Sequence, residues 1–179
     1  MSELVHLSHF GAPRTLPPAP WSIRRREIIP APPERVWRAL TDPAELQLWW
    51  CDFAEVDLRG PCRYAFGGAH VYGDSPGNMD ELRSFPGFEV LAAVPPSRLE
   101  LSWQLFGVET RVAYDLSNRL EATELTVLQA ADRAPGWDPG AGPSWWWQAL
   151  PALRTYVERG RPDLRIDYAA MRNAREIVF

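Results

Sequence analysis

The sequence predicts an α+β fold in which a curved antiparallel sheet wraps around a long C-terminal helix. Three observations carry this reading. Apolar residues alternate with period two through most of the stretch from Phe53 to Gln129; helical spacing returns over Trp145 to Arg159; and two short helical segments separate an early strand from the alternating region. At 179 residues the chain fits one ordinary domain, and folding at this size removes roughly 70% of the unfolded surface, enough for a core without staples.

Residues 1–21 end in a proline-rich run that cannot donate regular backbone hydrogen bonds, so they read as an N-terminal arm lying on the domain. Ser22 to Ile29 is the first strand, with β-branched residues at both ends and Pro30 as its stop. Pro32 and Pro33 then open a helix whose Val36, Trp37 and Leu40 form one apolar face, since a first helical turn tolerates missing N–H groups. Asp42-Pro43-Ala44-Glu45 matches a capping box with proline at the first helical position, and Leu46, Trp49 and Trp50 supply the second helix with its buried face.

The alternating region divides into candidate strands at Ala54 to Leu58, Cys62 to Phe66, Gly87 to Val94, Arg98 to Phe106, Glu109 to Leu116 and Glu121 to Gln129. Turn chemistry separates them at Arg59-Gly60-Pro61, Pro95-Pro96-Ser97 and Ser117-Asn118-Arg119, with the final hairpin turning at Asn118. Leu99, Leu101, Trp103 and Leu105 share one face, opposite Arg98, Glu100, Ser102 and Gln104; Val112, Tyr114, Leu116, Leu125 and Val127 extend the inner surface. Long Gly-, Pro- and Asp-rich loops span Gly67 to Pro86 and Ala130 to Ser144. The last helix places Trp146, Leu150, Leu153 and Val157 on one face and stops at Gly160. Pro151 within it predicts a kink or a later start. Residues 161–179 read as a helical C-terminal extension, packed on the domain or on a second copy.

Composition excludes several functions. All 19 basic side chains are Arg, so lysine Schiff-base chemistry is absent. A net charge of −4, with Arg24-Arg25-Arg26 as the one basic run, argues against a nucleic-acid partner. Cys51 and Cys62 lack the spacing of a zinc site and read as buried free thiols; His6 and His9 find no nearby third metal ligand. No metal or cofactor is expected. With no signal-peptide pattern and no apolar run approaching the roughly 18 residues of a membrane helix, a cytoplasmic protein without a membrane span is expected.

The chain carries 9 Trp, and Trp50, Tyr64, Phe66, His70, Tyr72, Trp103, Tyr114, Trp146 and Leu150 are the candidate lining of an apolar pocket with a few polar tips. The competing reading is a filled core. An empty apolar cavity of roughly 300 Å³ costs about 7 kcal/mol, comparable with the stability of a whole domain, so side chains, water or a ligand must occupy the space. His70, near Tyr64, Tyr72 and Asp74, is the one candidate general base in the folded region; a solvated loop histidine is the simpler reading. No nucleophile elbow, zinc-protease motif or phosphate-binding glycine loop is present.

The order of strand, two short helices, antiparallel meander and long helix resembles the helix-grip superfamily of START, polyketide cyclase and Bet v 1-like domains. More narrowly, the run from Arg26 to Pro43, with Leu46 and Trp49-Trp50, resembles the opening signature of the family named after the activator of Hsp90 ATPase. Phe88-Glu89-Val90-Leu91, Pro95 to Leu99, Leu101-Ser102-Trp103 and Thr123 to Val127 are similar to its later strands. The resemblance covers residues 23–160 and implies a helix-grip domain at 22–160. It implies function only broadly, because one fold hosts many activities. The expected function is binding of a small hydrophobic or aromatic molecule between sheet and helix, without assured chemistry. The alternatives are a cyclase- or hydrolase-like enzyme using His70 and nearby tyrosines, and a protein-interaction or co-chaperone-like module, including a homodimer through the C-terminal extension.

Overall fold

Proline punctuation and apolar alternation decide where the elements fall. The structure, a computed structural model, describes residues 20–51, 53–65, 88–105, 108–134 and 146–161. Among these residues the chain runs β1 (Trp21–Ile29), α1 (Pro33–Thr41), α2 (Pro43–Trp49), β2 (Phe53–Glu55), β3 (Pro61–Ala65), β4 (Phe88–Val94), β5 (Arg98–Leu105), β6 (Val108–Arg119), β7 (Ala122–Ala131) and α3 (Trp146–Arg159). The strands make one curved antiparallel sheet in the order β1-β7-β6-β5-β4-β3-β2. This is the expected helix-grip architecture. The N-terminal arm, the 66–87 and 135–145 segments and the C-terminal extension lie outside the described residues.

The inner face of the sheet holds the core. Leu99 and Leu101 of β5, Val112, Tyr114 and Leu116 of β6, and Leu125 and Val127 of β7 are buried there against Trp146, Ala149, Leu150, Leu153 and Tyr156 of α3. The helix pair α1–α2 closes one end. The Trp49 indole N–H donates to the Ala39 carbonyl at 2.9 Å, and the Thr123 hydroxyl donates to the Ala31 carbonyl at 2.7 Å, pinning β7 to the β1–α1 connection. These buried bonds satisfy groups that would otherwise be costly to desolvate.

Several boundaries differ from the sequence expectation, each for a local reason. The first strand of the meander stops at Glu55 instead of Leu58, because the Asp57 side chain accepts from the Arg59 amide at 2.9 Å and its carbonyl accepts from Gly60 at 3.0 Å, turning the chain. At Gly60 a Cβ would sit 2.7 Å from the Asp57 carboxylate, so a larger residue there would make that side chain shift. The capping box is formed only in part. Asp42 caps the Ala44 and Glu45 amides, but Glu45 pairs with Arg35 and Arg38 of α1, and the Asp42 amide donates to the Arg38 carbonyl.

α3 runs through Pro151 and does not begin after it. Proline has no amide for the Trp147 carbonyl, while the Thr155 hydroxyl donates to the Pro151 carbonyl at 2.9 Å. Glu100, expected on the half-exposed face, is 8% exposed, because Arg98 lies against it at 3.0 Å and reaches on to Asp115.

The final hairpin turns later than Asn118. Asn118 pairs with Thr123 and Arg119 with Ala122, leaving Leu120-Glu121 as a two-residue turn. Such tight turns require positive φ, and Leu120 adopts φ 57° while 99% exposed. A bulky residue in the left-handed region is strained by roughly 1–2 kcal/mol, whereas asparagine tolerates it. Leu120→Asn is therefore expected to stabilise the protein by about 0.5–1 kcal/mol, read as a higher urea midpoint at unchanged slope. A lower midpoint would show that the leucine contributes something the geometry does not reveal.

Candidate ligand site

Register and helix spacing bring four aromatic side chains from four elements to one place. Trp50 follows α2 as its C-cap; Trp103 lies on β5 opposite Thr110; Tyr114 lies on β6 opposite Leu99; Trp146 opens α3. Trp146 is the centre. Its ring lies nearly parallel to Trp50, with centroids 5.9 Å apart and 13° between planes, and meets Trp103 and Tyr114 edge-on at 6.2 and 5.9 Å. Trp50 also meets Trp103 edge-on at 6.0 Å and Trp49 at 5.2 Å. These are the offset and edge-to-face arrangements that aromatic quadrupoles favour, each contributing about 0.5–1.5 kcal/mol beyond area burial. Trp50, Tyr114 and Trp146 are buried, and Trp103 is partly buried.

A neutral polar chain runs beside the rings. The Trp146 indole N–H donates to Gln129 Oε1 at 3.0 Å, Gln129 Nε2 donates to the Thr110 hydroxyl at 3.0 Å, and that hydroxyl donates to the Trp103 carbonyl at 2.8 Å. Gln129 is 0% exposed. It lies opposite Val112 on the inner face, so Thr110, two residues earlier on β6, is its diagonal neighbour. Sequence reasoning missed both residues. Their signal was present, because Gln129 continues the inner-face series Leu125, Val127 and Thr110 precedes Val112 and Tyr114 at the same period.

Tyr114 is the exception to this satisfaction. It is 5% exposed, and burial alone pushes its phenol well above the ordinary value, with no hydrogen bond or charge contributing. Among the described residues its hydroxyl has no hydrogen-bond partner.

The other expected site residues are placed as follows. Leu150 is buried one turn beyond Trp146. Tyr64 has its backbone in β3, but its side chain is outside the described residues, as are Phe66, His70 and Tyr72 entirely. Cys51 and Cys62 are buried free thiols, and burial pushes the Cys62 thiol up, away from a nucleophilic thiolate. Among the described residues no cluster of His, Cys, Asp and Glu could hold a metal ion, and no helix is long and apolar enough to cross a membrane.

A sheet closed on its C-terminal helix over an aromatic cluster defines a helix-grip domain of the Bet v 1-like superfamily, the architecture of ligand-binding SRPBCC domains in general. Residues 30–158 match the family model described as Activator of Hsp90 ATPase homolog 1-like protein, and the chain belongs to that family. DynU16, from the dynemicin biosynthetic locus, is 28% identical with a TM-score of 0.61 over 79% of this chain, which spans 48% of DynU16. CalU16 from Micromonospora echinospora is 26% identical, with a TM-score of 0.56 over 87% of this chain and 82% of its own. The Aha1 dimer from Colwellia psychrerythraea shares the fold at 19% identity and a TM-score of 0.58, over 78% of this chain and 98% of its own. No curated protein matches the chain.

Gln129→Ala removes the acceptor of one buried donor and the donor to a second group. It is expected to cost about 2–4 kcal/mol in chemical denaturation, against less than about 0.5 kcal/mol for a surface change such as Gln47→Ala. Equal effects would mean the chain carries no weight. The phenols give a pH prediction. Tyr114 and Tyr156 are both raised, the latter by burial and then by Glu45. A raised folded pKa holds a proton that the unfolded chain releases, so this stability is complete below about pH 10 and declines above it. Between pH 9 and 11 the urea midpoint should fall less for Tyr114→Phe than for wild type; identical declines would contradict the assignment.

Proposed function

We propose that this protein binds a small hydrophobic or aromatic molecule between the sheet and α3, against the wall formed by Trp50, Trp103, Tyr114 and Trp146, without chemistry of its own. The observation that carries the reading is the convergence of these four residues, three of them buried and Trp103 only partly so. Aromatic walls with few polar groups are what small-molecule sites use, because flat apolar surface gives affinity and isolated hydrogen bonds give orientation.

Two further considerations support binding over catalysis. The ionisable side chain shown within the cluster, Tyr114, is a phenol that burial holds in its neutral form, which suits recognition better than proton abstraction. The membership of DynU16 in a biosynthetic locus is consistent with a small organic molecule as the ligand class. A domain at 22–160 is the unit proposed to bind.

The test is a thermal-shift screen against lipids, aromatic polyketides, flavonoids and hydrophobic metabolites, followed by tryptophan fluorescence titration of any hit. A ligand at about one hundred times its dissociation constant adds roughly 2.7 kcal/mol, several degrees for a chain of this size. Trp103→Leu is expected to weaken that ligand by about tenfold or more while the protein stays folded. A flat response across the panel would send the search towards protein partners.

A further inference from the structure

Among the described residues, the buried polar side chains on the inner face of the sheet are all neutral, and Trp146, Gln129 and Thr110 are joined in one hydrogen-bond chain. Tyr114 stands apart. Its hydroxyl is carried into the same aromatic cluster, edge-on to Trp146, and lacks a hydrogen-bond partner among the described residues. The fully enclosed unpaired polar atoms among the described residues are Arg25 Nε and Arg63 Nε, and the Tyr114 hydroxyl is not one of them; a phenol that makes no bond within the protein is open to an incoming acceptor.

We infer that Tyr114 is the specificity-determining residue of the proposed site, donating its phenolic hydrogen to a carbonyl oxygen on a neutral, flat, largely apolar ligand. This rests on the binding reading above. The polarity of the contact follows from the surroundings. A neutral phenol donates more strongly than it accepts, and burial keeps this one neutral. A carboxylate ligand would need a cation to replace its lost hydration, and the basic side chain on the inward side of β1, Arg25, is only partly buried and lies over the exposed Trp147 ring. An aromatic ketone therefore fits better than an aromatic acid or a plain hydrocarbon.

The experiment compares three probes of one ring system, 2-acetylnaphthalene, 2-ethylnaphthalene and 2-naphthoate, titrated by tryptophan fluorescence into wild type and Tyr114→Phe. Wild type should bind the ketone about fivefold or more tighter than the hydrocarbon, the worth of one neutral hydrogen bond, and should bind the acid weakest. In Tyr114→Phe the ketone-to-hydrocarbon ratio should collapse towards one. The melting temperature of the ligand-free variant should be unchanged or higher, since the hydroxyl has no partner to lose.

A ketone preference that survives in Tyr114→Phe, or equal binding of ketone and hydrocarbon to wild type, overturns this inference and leaves the binding site standing. A melting temperature lowered by several degrees shows the hydroxyl to be partnered within the protein and overturns it too. Tighter binding of the acid overturns the neutral-ligand part. If no probe binds either protein up to its solubility limit, the binding reading fails and the inference goes with it.

Discussion

The contact on which the structure turns is Trp146 at the start of α3, packed on Trp50, Trp103 and Tyr114 and hydrogen-bonded to Gln129. A helix laid on a sheet can slide and rotate at little cost while its face is uniformly apolar. An indole is large, has only two soft torsions, and must place one N–H on an acceptor when buried. Satisfying Gln129 and three rings at once leaves one position for the first turn of α3. The chain through Thr110 to the Trp103 carbonyl then ties that turn to β7, β6 and β5 together. Such a network specifies geometry more than it adds net stability, because each bond replaces one to water.

The remaining orientation comes from charge at the margins. Arg154 of α3 reaches Glu27 of β1 at 3.3 Å and Glu158 at 2.8 Å, while Arg25 of β1 lies over the Trp147 ring at 4.6 Å. Arg35 and Arg38 meet on Glu45, joining α1 to α2, and Arg35 also stacks over Tyr156 of α3. Exposed pairs contribute little energy individually. They account, however, for why the inward side of β1 carries Arg25 and Glu27 rather than apolar residues: this edge strand faces the polar flank of α3, where Glu27 meets Arg154 and Arg25 lies on the Trp147 ring.

The same division bears on function. Family membership and fold mark a type of container, and fold alone does not choose a ligand. The chemistry inside this one is a dense indole cluster, a neutral hydrogen-bond chain beside it, and a phenol outside that chain. Affinity in such a site comes from apolar area, and selectivity from the few polar groups that would be left unpaired by the wrong molecule.

The sequence by itself determined the architecture, because period-two and period-3.6 patterns depend only on which side chains seek burial, and the prolines at 30, 32, 33 and 43 remove amides wherever they stand. It also pointed to Trp50, Trp103, Tyr114, Trp146 and Leu150, since large apolar residues on inner faces must meet something. The tertiary structure decided what local pattern cannot hold. The hairpin turn moved to Leu120 because cross-strand register, set over the whole of β6 and β7, outweighs the turn preference of Asn118. Glu45 left its capping role because two arginines of the neighbouring helix offered a stronger partner. Gln129 and Thr110 look like ordinary strand residues until the sheet places them diagonally beneath an indole, and only there does the chain that links them to Trp146 form without including the Tyr114 hydroxyl. Pairing across elements is a property of three-dimensional proximity, and no spacing along the chain encodes it.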